Sequence, residues 1–432
     1  MTAKKGLMIQ RVGFLAFVAA LGGILFGYDT AVVSGTTADV AARFNLDALS
    51  KGWYVGCALT GSILGVAVAG WLSDKFGRKP AMLFSAVLFS VSAIGCALCI
   101  GFADLVAYRI VGGVGIGVVS IVSPVYISEI SPARIRGTMV SLYQFAITLG
   151  FVLAYLVNYL LLVNLQVEDL WRYMLGAEAV ITLGFFFVIF FIPESPRWLA
   201  LRTGGAALAR RIPWGELARP GIVKAVLIGC AIAVLGQFMG VNAVLYYGPE
   251  IFANAGFAAK DSSFSTVLVG LVNMASTILA VYLMDRAGRK ALVYFGVTLM
   301  ILCLATIGCF FLAGVSGAAF VAVFLAYIFA QAVSISAVVF VLLSEMYPDR
   351  VRGLAMSVAG FALWVGTYLV GQFTPWCMAT LGPAGTFFFF AAMCLPYLAI
   401  VWRLVPDTAG KSLEEIEAFW TQRKPNTKGS DK

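Results

Sequence analysis

Three ionisable side chains interrupt stretches that are otherwise apolar: Asp29 in segment 12–36, Arg109 in 104–127 and Glu178 in 171–192. A charge in such a stretch is costly to bury, so each needs a partner or a task. Two carboxyl groups that share one guanidinium suit reversible proton binding. They cannot both ionise cheaply side by side, and the always-charged arginine favours ionisation of whichever it pairs with. The chain has no histidine, which leaves carboxylates to take up a proton near neutral pH. Counting at 1.5 Å per residue puts Asp29 and Glu178 roughly 10 Å, and Arg109 roughly 8 Å, below one membrane edge. A single layer can therefore hold all three. Protonating Asp29 would release Arg109 to pair with Glu178; the alternative is a static ion pair that fixes helix packing.

The second half of the chain supplies neutral polar groups instead: Gln237, Asn242, Tyr246 and Tyr247, then Asn273, Gln331, Ser336, Trp364 and Gln372. Spacings of five and four keep Gln237, Asn242 and Tyr246 on roughly one helical face. Amides and hydroxyls there can hydrogen-bond a neutral polyhydroxyl solute, and an aromatic ring can stack on the apolar face of a sugar. Interhelical hydrogen bonding is the competing reading, and it weighs most for Gln331 and Gln372.

The elements that must position these groups are membrane helices. The 432 residues are 61% hydrophobic and 12% charged, with mean hydropathy +0.94, where a soluble chain carries about 25% charge. Twelve apolar runs reach the roughly 20 residues needed to cross a bilayer, six before residue 200 and six after it. The first follows Lys4, Lys5 and Arg11 but is too long for a signal peptide and shows no clear cleavage site, so it reads as a retained helix. Of the 30 Lys and Arg, 25 fall in the tails and in loops on one side; Arg43, Lys51, Arg172 and Lys260 fall on the other. That asymmetry places both termini in the cytosol. It also accounts for the net charge of +9 without nucleic-acid binding. All eight cysteines lie within spans as small packing residues, and Cys96 and Cys99, one turn apart, have no histidine or acid beside them to hold a metal. With no nucleotide loop and no metal-ligand cluster, neither an enzyme nor a cofactor is indicated.

The chain also repeats itself. DKFGRK at 74–79 returns as DRAGRK at 285–290, and SEISPARIRG at 128–137 returns as SEMYPDRVRG at 344–353. PESPRW at 193–198 has a weaker echo in PDTAGK at 406–411, and the three offsets are 211, 216 and 213. A period near half the chain means a duplicated half, and parallel repeats are how many secondary transporters build a midplane site. The expected organisation is a bundle over 1–199, a short cytosolic linker over 200–220, a bundle over 221–405 and a cytosolic tail over 406–432. In the tail, Ser412 and Glu415 form a capping box ahead of an apolar stripe of Leu413, Ile416 and Trp420, which predicts a short amphipathic helix.

These loops, together with LGGILFGYD (21–29), PESPRWL (193–199), GQFMGVNAVLYY (236–247), LLSEMYPDRVRG (342–353) and PDTAGKSLEEIE (406–417), resemble the sugar porter family of the major facilitator superfamily over nearly the whole chain. YRIVGGVGIG, SLYQFAI and WRYM with Glu178 are most similar to the bacterial proton–xylose symporters. The resemblance implies an all-α integral membrane protein, 12 transmembrane helices in two six-helix bundles, in a bacterial inner (plasma) membrane. A monomer is expected, with the lipid bilayer, a small neutral sugar and a proton as partners. By the same resemblance Asp29 is the proton-coupling aspartate, Arg109 its partner and Glu178 the acid of the xylose-symporter branch. Gln144, Gln237, Asn242, Tyr246, Asn273 and Trp364 match sugar-contacting positions. Arg78, Glu129, Arg136, Glu194, Arg289, Glu345 and Arg352 match salt-bridge positions that lock the inner gate.

Four positions depart from the family pocket: Gly236 where a second glutamine is usual, Phe340 in place of tryptophan, and Phe151 and Leu363 in place of glutamines. Each change removes polar or bulky lining, so the family pattern does not carry over as a choice of sugar. The leading expectation is proton-coupled symport of a pentose or hexose by alternating access. A facilitative sugar or polyol uniporter, with Asp29 merely structural, is the alternative, and a sugar-sensing receptor is a third reading that would need a longer signalling tail.

Overall fold

The computed structural model describes residues 2–132, 135–203, 215, 220–347 and 351–405. No strand occurs among them. The first half contributes helices α1 (Thr2–Phe44), α2 (Ala48–Phe76), α3 (Arg78–Leu98), α4 (Phe102–Ile130), α5 (Arg136–Asn164), α6 (Leu170–Gly176), α7 (Glu178–Ile189) and α8 (Pro196–Thr203). After residue 220 come α9 (Pro220–Gln237), α10 (Val241–Asn254), α11 (Ala259–Ala287), α12 (Arg289–Ala313), α13 (Ala318–Gln331), a π-helical turn (Ala332–Ser336), α14 (Ala337–Met346) and α15 (Arg352–Arg403). Eleven helical stretches among the described residues are long and apolar enough to cross a membrane. One of them, α15, has 52 residues, roughly 78 Å at 1.5 Å per residue, more than twice a hydrocarbon core of about 30 Å. It breaks at Gly382, whose φ of 72° lies in the left-handed region, and so makes two crossings. Twelve membrane helices result.

Breaks elsewhere depart from the uninterrupted spans expected from the sequence. Segment 171–192 divides between α6 and α7 at Ala177, immediately before Glu178. Segment 221–252 divides between α9 and α10, where Gly240 has φ 91°. The backbone carbonyl of Met239 at that break is met by the Tyr327 hydroxyl at 2.7 Å. The span around Gln331 swells into the π-helical turn. Apolar periodicity is blind to such breaks because both sides of each remain equally apolar. The linker (204–214 and 216–219) and the tail with Ser412, Leu413, Glu415, Ile416 and Trp420 lie outside the described residues.

The chain forms two compact units, one gathering Met1–Leu208, Ala243–Met274 and Gly371–Thr380, the other Ala209–Asn242, Ala275–Val370 and Leu381–Lys432. In the first unit glycines let backbones touch. A Cβ at Gly113 of α4 would sit 2.0 Å from the Ala58 carbonyl oxygen of α2, and one at Gly27 of α1 would sit 2.0 Å from the Ile147 carbonyl oxygen of α5. Apolar side chains gain little by meeting each other in lipid, so such small-residue seams let helices associate through close van der Waals contact. In the second unit a ring cluster does comparable work: Phe311 stacks on Phe387 at 5.6 Å and meets Phe320 edge-on at 5.3 Å.

The duplicated DKFGRK and DRAGRK loops make the same turn. Gly77 (φ 108°) and Gly288 (φ 81°) each stand just before a helix, α3 or α12, that opens on the motif's arginine. A left-handed backbone favours glycine at both.

Candidate functional site

Asp29, Arg109 and Glu178 are brought together, all at most 2% exposed. Asp29 lies on α1, Arg109 on α4, and Glu178 opens α7, where the free amides of a helix start favour negative charge. Arg109 Nη1 donates to Asp29 Oδ1 at 2.6 Å. Glu178 lies close enough to Asp29 and Arg109 to feel both charges. The cluster is also left short of partners: Asp29 Oδ2, Arg109 Nε, Glu178 Oε1 and the neighbouring Tyr28 hydroxyl are buried with no hydrogen bond. Groups that are fully paired lock a packing; these retain unused donors and acceptors. The Arg109 charge also reaches Tyr54, Cys57, Cys96 and Tyr246.

The residues expected to contact solute divide between the units. Gln144, Tyr246 and Asn273 belong to the first; Gln237, Asn242 and Trp364 belong to the second. Gln144 is exposed, Trp364 half-buried, and Tyr246 and Asn273 are buried. At the α9–α10 break Asn242 Nδ2 donates to Gln237 Oε1 at 2.6 Å, and the Thr367 hydroxyl reaches the same oxygen at 3.2 Å and the Leu363 carbonyl at 2.9 Å. With its carbonyl oxygen engaged, Gln237 keeps its amide NH2 to donate, while Asn242 keeps its carbonyl oxygen to accept. Gln331 and Ser336 pair with each other across the π-helical turn, at 2.9 and 3.1 Å. Gln372 Nε2 donates to the Leu49 carbonyl at 2.9 Å. Gln372 therefore bonds between helices, as the packing reading has it, whereas the Gln331 bond stays within its own span.

Three of the expected gating residues of the first unit, Arg78, Glu129 and Glu194, form one polar knot. Arg78 meets Glu129 through two bonds, Nη2–Oε1 at 3.0 Å and Nε–Oε2 at 3.1 Å, and meets Asp74 at 3.0 Å. The Ser195 hydroxyl donates to Glu129 Oε2 at 2.5 Å. Glu194 makes its bonds to backbone instead of to a guanidinium: it accepts from the amides of Arg78 (3.0 Å) and Ser195 (2.7 Å) and from that of Lys79, and so satisfies the first turn of α3. Arg136 is exposed, with Nη2 3.5 Å from the Ser131 carbonyl oxygen. In the second unit Arg289 opens α12, and Arg352 Nε and Nη2 both donate to the Tyr347 carbonyl at 3.3 Å. The Glu345 side chain lies outside the described residues, as does that of Phe340.

A family model described as "Sugar (and other) transporter" matches the chain twice, over residues 15–212 and 206–420. The chain belongs to the sugar transporter family. This transporter is 35% identical to the arabinose-proton symporter of Bacillus subtilis (strain 168), with 95% of this chain and 96% of that one covered. It is 34% identical to the D-xylose-proton symporter of Escherichia coli (strain K12), with 96% of each covered. Among solved structures it is similar to the inward-open conformation of the xylose transporter XylE from E. coli, with TM-score 0.83, 34% identity, and 95% of this chain and 100% of that one covered. The transporter is thus a multi-pass membrane protein of the major facilitator fold.

Several residues of the transporter's polar sites escape a reading of motifs. Ser195 offers a visible signal, since serine before Pro196 at a helix start reads as an N-cap, and its oxygen indeed accepts from the Trp198 amide at 3.3 Å. Its bond to Glu129 is not visible in that pattern. Thr367 gives no sequence signal, being one hydroxyl among several on a long apolar helix. Lys51 and Glu250 form an ion pair at 2.5 Å, and they are 199 residues apart.

Proposed function

We propose that this chain carries a pentose or hexose across the membrane together with a proton, by alternating access between the two faces. The observation that carries the reading is the buried Asp29–Arg109 ion pair with a second carboxyl, Glu178, at its side. Family membership and full-length likeness to proteins named as arabinose-proton and D-xylose-proton symporters support it. Asp29 takes the travelling proton. In the ionised state its carboxylate holds Arg109 on α1; once it is neutral, that attraction falls to an ordinary hydrogen bond and Glu178 competes for the guanidinium. Tyr246, which feels the Arg109 charge, is the route by which the change reaches the sugar.

In this proposal Gln237 donates its NH2 and Asn242 accepts through its carbonyl oxygen, a donor–acceptor pair matched to sugar hydroxyls, each of which can do both. Gln144, Tyr246 and Asn273 add polar contacts and Trp364 an aromatic face. Arg78, Glu129 and Glu194, with Arg136, Arg289, Glu345 and Arg352, hold the cytosolic gate. The halves 1–199 and 221–405 act as the two bundles of one monomer, in an inner membrane with both termini cytosolic. Proton uptake tests the reading: on adding D-xylose or L-arabinose to lightly buffered proteoliposomes the external pH should rise as sugar enters. A facilitative uniporter would admit the sugar with no pH change.

A further inference from the structure

Two grooves open on the outward-facing surface of the spans. The one in the first unit, about 430 Å³, is lined by residues such as Val87, Ile94, Tyr108 and Phe186 and has no charged side chain. The groove in the second unit differs. It holds about 530 Å³ between α9 and the end of α15, lined by Val223, Lys224, Leu227, Ile228, Ala231 and Leu404 among others. Both volumes fall in the range of small-molecule sites. Leu227 is 64% exposed on a membrane span, so its neighbour is lipid. Since α9 starts and α15 ends at this level, Lys224 stands at the membrane edge and the rest of the groove runs into the hydrocarbon.

The chemistry of the mouth is one-sided. Among the described residues Lys224 is the one charged side chain in the lining, no acid occupies the first turn of α9, and the last turn of α15 carries Arg403. The Arg403 guanidinium sits 5.2 Å over the ring of Trp402, itself 65% exposed, as interfacial aromatics are. A lysine that keeps its stem along an apolar wall and its ammonium at the interface attracts phosphate.

We infer that this groove binds one anionic phospholipid, with an acyl chain along Leu227, Ile228 and Ala231 and the headgroup phosphate on Lys224. A zwitterionic lipid offers the same chain but brings its own ammonium to a mouth that is already positive. The site therefore selects on net headgroup charge, whereas the uncharged groove of the first unit selects on nothing but chain.

The test is native mass spectrometry of the purified full-length transporter with phosphatidylglycerol and phosphatidylethanolamine of identical chains. Wild type should retain phosphatidylglycerol about 5-fold better, the factor that one interfacial lysine contributes. Lys224→Gln should remove that preference, and Ala231→Phe, which fills the groove, should reduce retention of both lipids. Equal retention of the two lipids by wild type, a comparison that needs no variant, would overturn the inference. So would an unchanged preference in Lys224→Gln. Displacement of phosphatidylglycerol by millimolar inorganic phosphate would also overturn it, since that marks an anion site without an acyl groove.

Discussion

At the scale of single residues the account rests on Asp29. Asparagine there resembles the protonated acid in shape and in charge. Asp29→Asn should abolish uphill, pH-driven accumulation while leaving exchange of labelled for unlabelled sugar across proteoliposomes; accumulation at wild-type level would remove Asp29 from the coupling step. The proposed sugar contacts answer to a different measurement. Gln237→Ala should weaken binding by about 1–3 kcal/mol in calorimetry, the range for losing a buried hydrogen-bond partner. Thr367→Val should also weaken it, because Gln237 then loses the hydroxyl proton that its carbonyl shares with that of Leu363, and Thr367→Ser should restore it. Equal affinities for Thr367→Val and wild type would leave Asn242 as the sole orienting group. Asp29, Arg109 and Glu178 were legible from sequence because charge in an apolar run is conspicuous. The Thr367 contact was not, since hydroxyls on membrane helices usually bond their own backbone, as Thr367 does with Leu363.

At the scale of elements the fold depends on helices that approach to backbone contact. Gly113→Val places branched carbons where the Ala58 carbonyl stands, a wall that cannot rotate away as a side chain would. Overpacking of this kind costs about 1–3 kcal/mol or more, so the purified variant should unfold several degrees below wild type. Gly13, with nothing near its hypothetical Cβ, is the control: Gly13→Ala should leave the unfolding temperature unchanged. Twelve spans could be counted from hydropathy alone. The breaks at Ala177, Gly240 and Gly382 could not, nor the π-helical turn at Ala332–Ser336, because an apolar run keeps the same composition through a kink. Two of these breaks fall at the polar residues: one comes just before Glu178, another sets Gln237 against Asn242. Glu194 shows a related limit. Its motif marked it as important, but whether a carboxylate meets a guanidinium or a helix start depends on loop geometry that spacing does not encode.

At the scale of the whole molecule, duplication gave two similar sets of loops but unlike interiors. The first half carries the buried charges, the second the neutral amides and hydroxyls, and coupling requires that protonation in one alter solute access in the other. That division is why the proton and the sugar can be tested separately in one preparation. The most direct measurement is the steady-state accumulation ratio of labelled sugar in proteoliposomes that start with equal internal and external sugar and are then made acidic outside. The account predicts that sugar rises inside above its external concentration and that the rise collapses when a protonophore dissipates the gradient. A ratio that stays at unity, with flux indifferent to the imposed gradient, would contradict it.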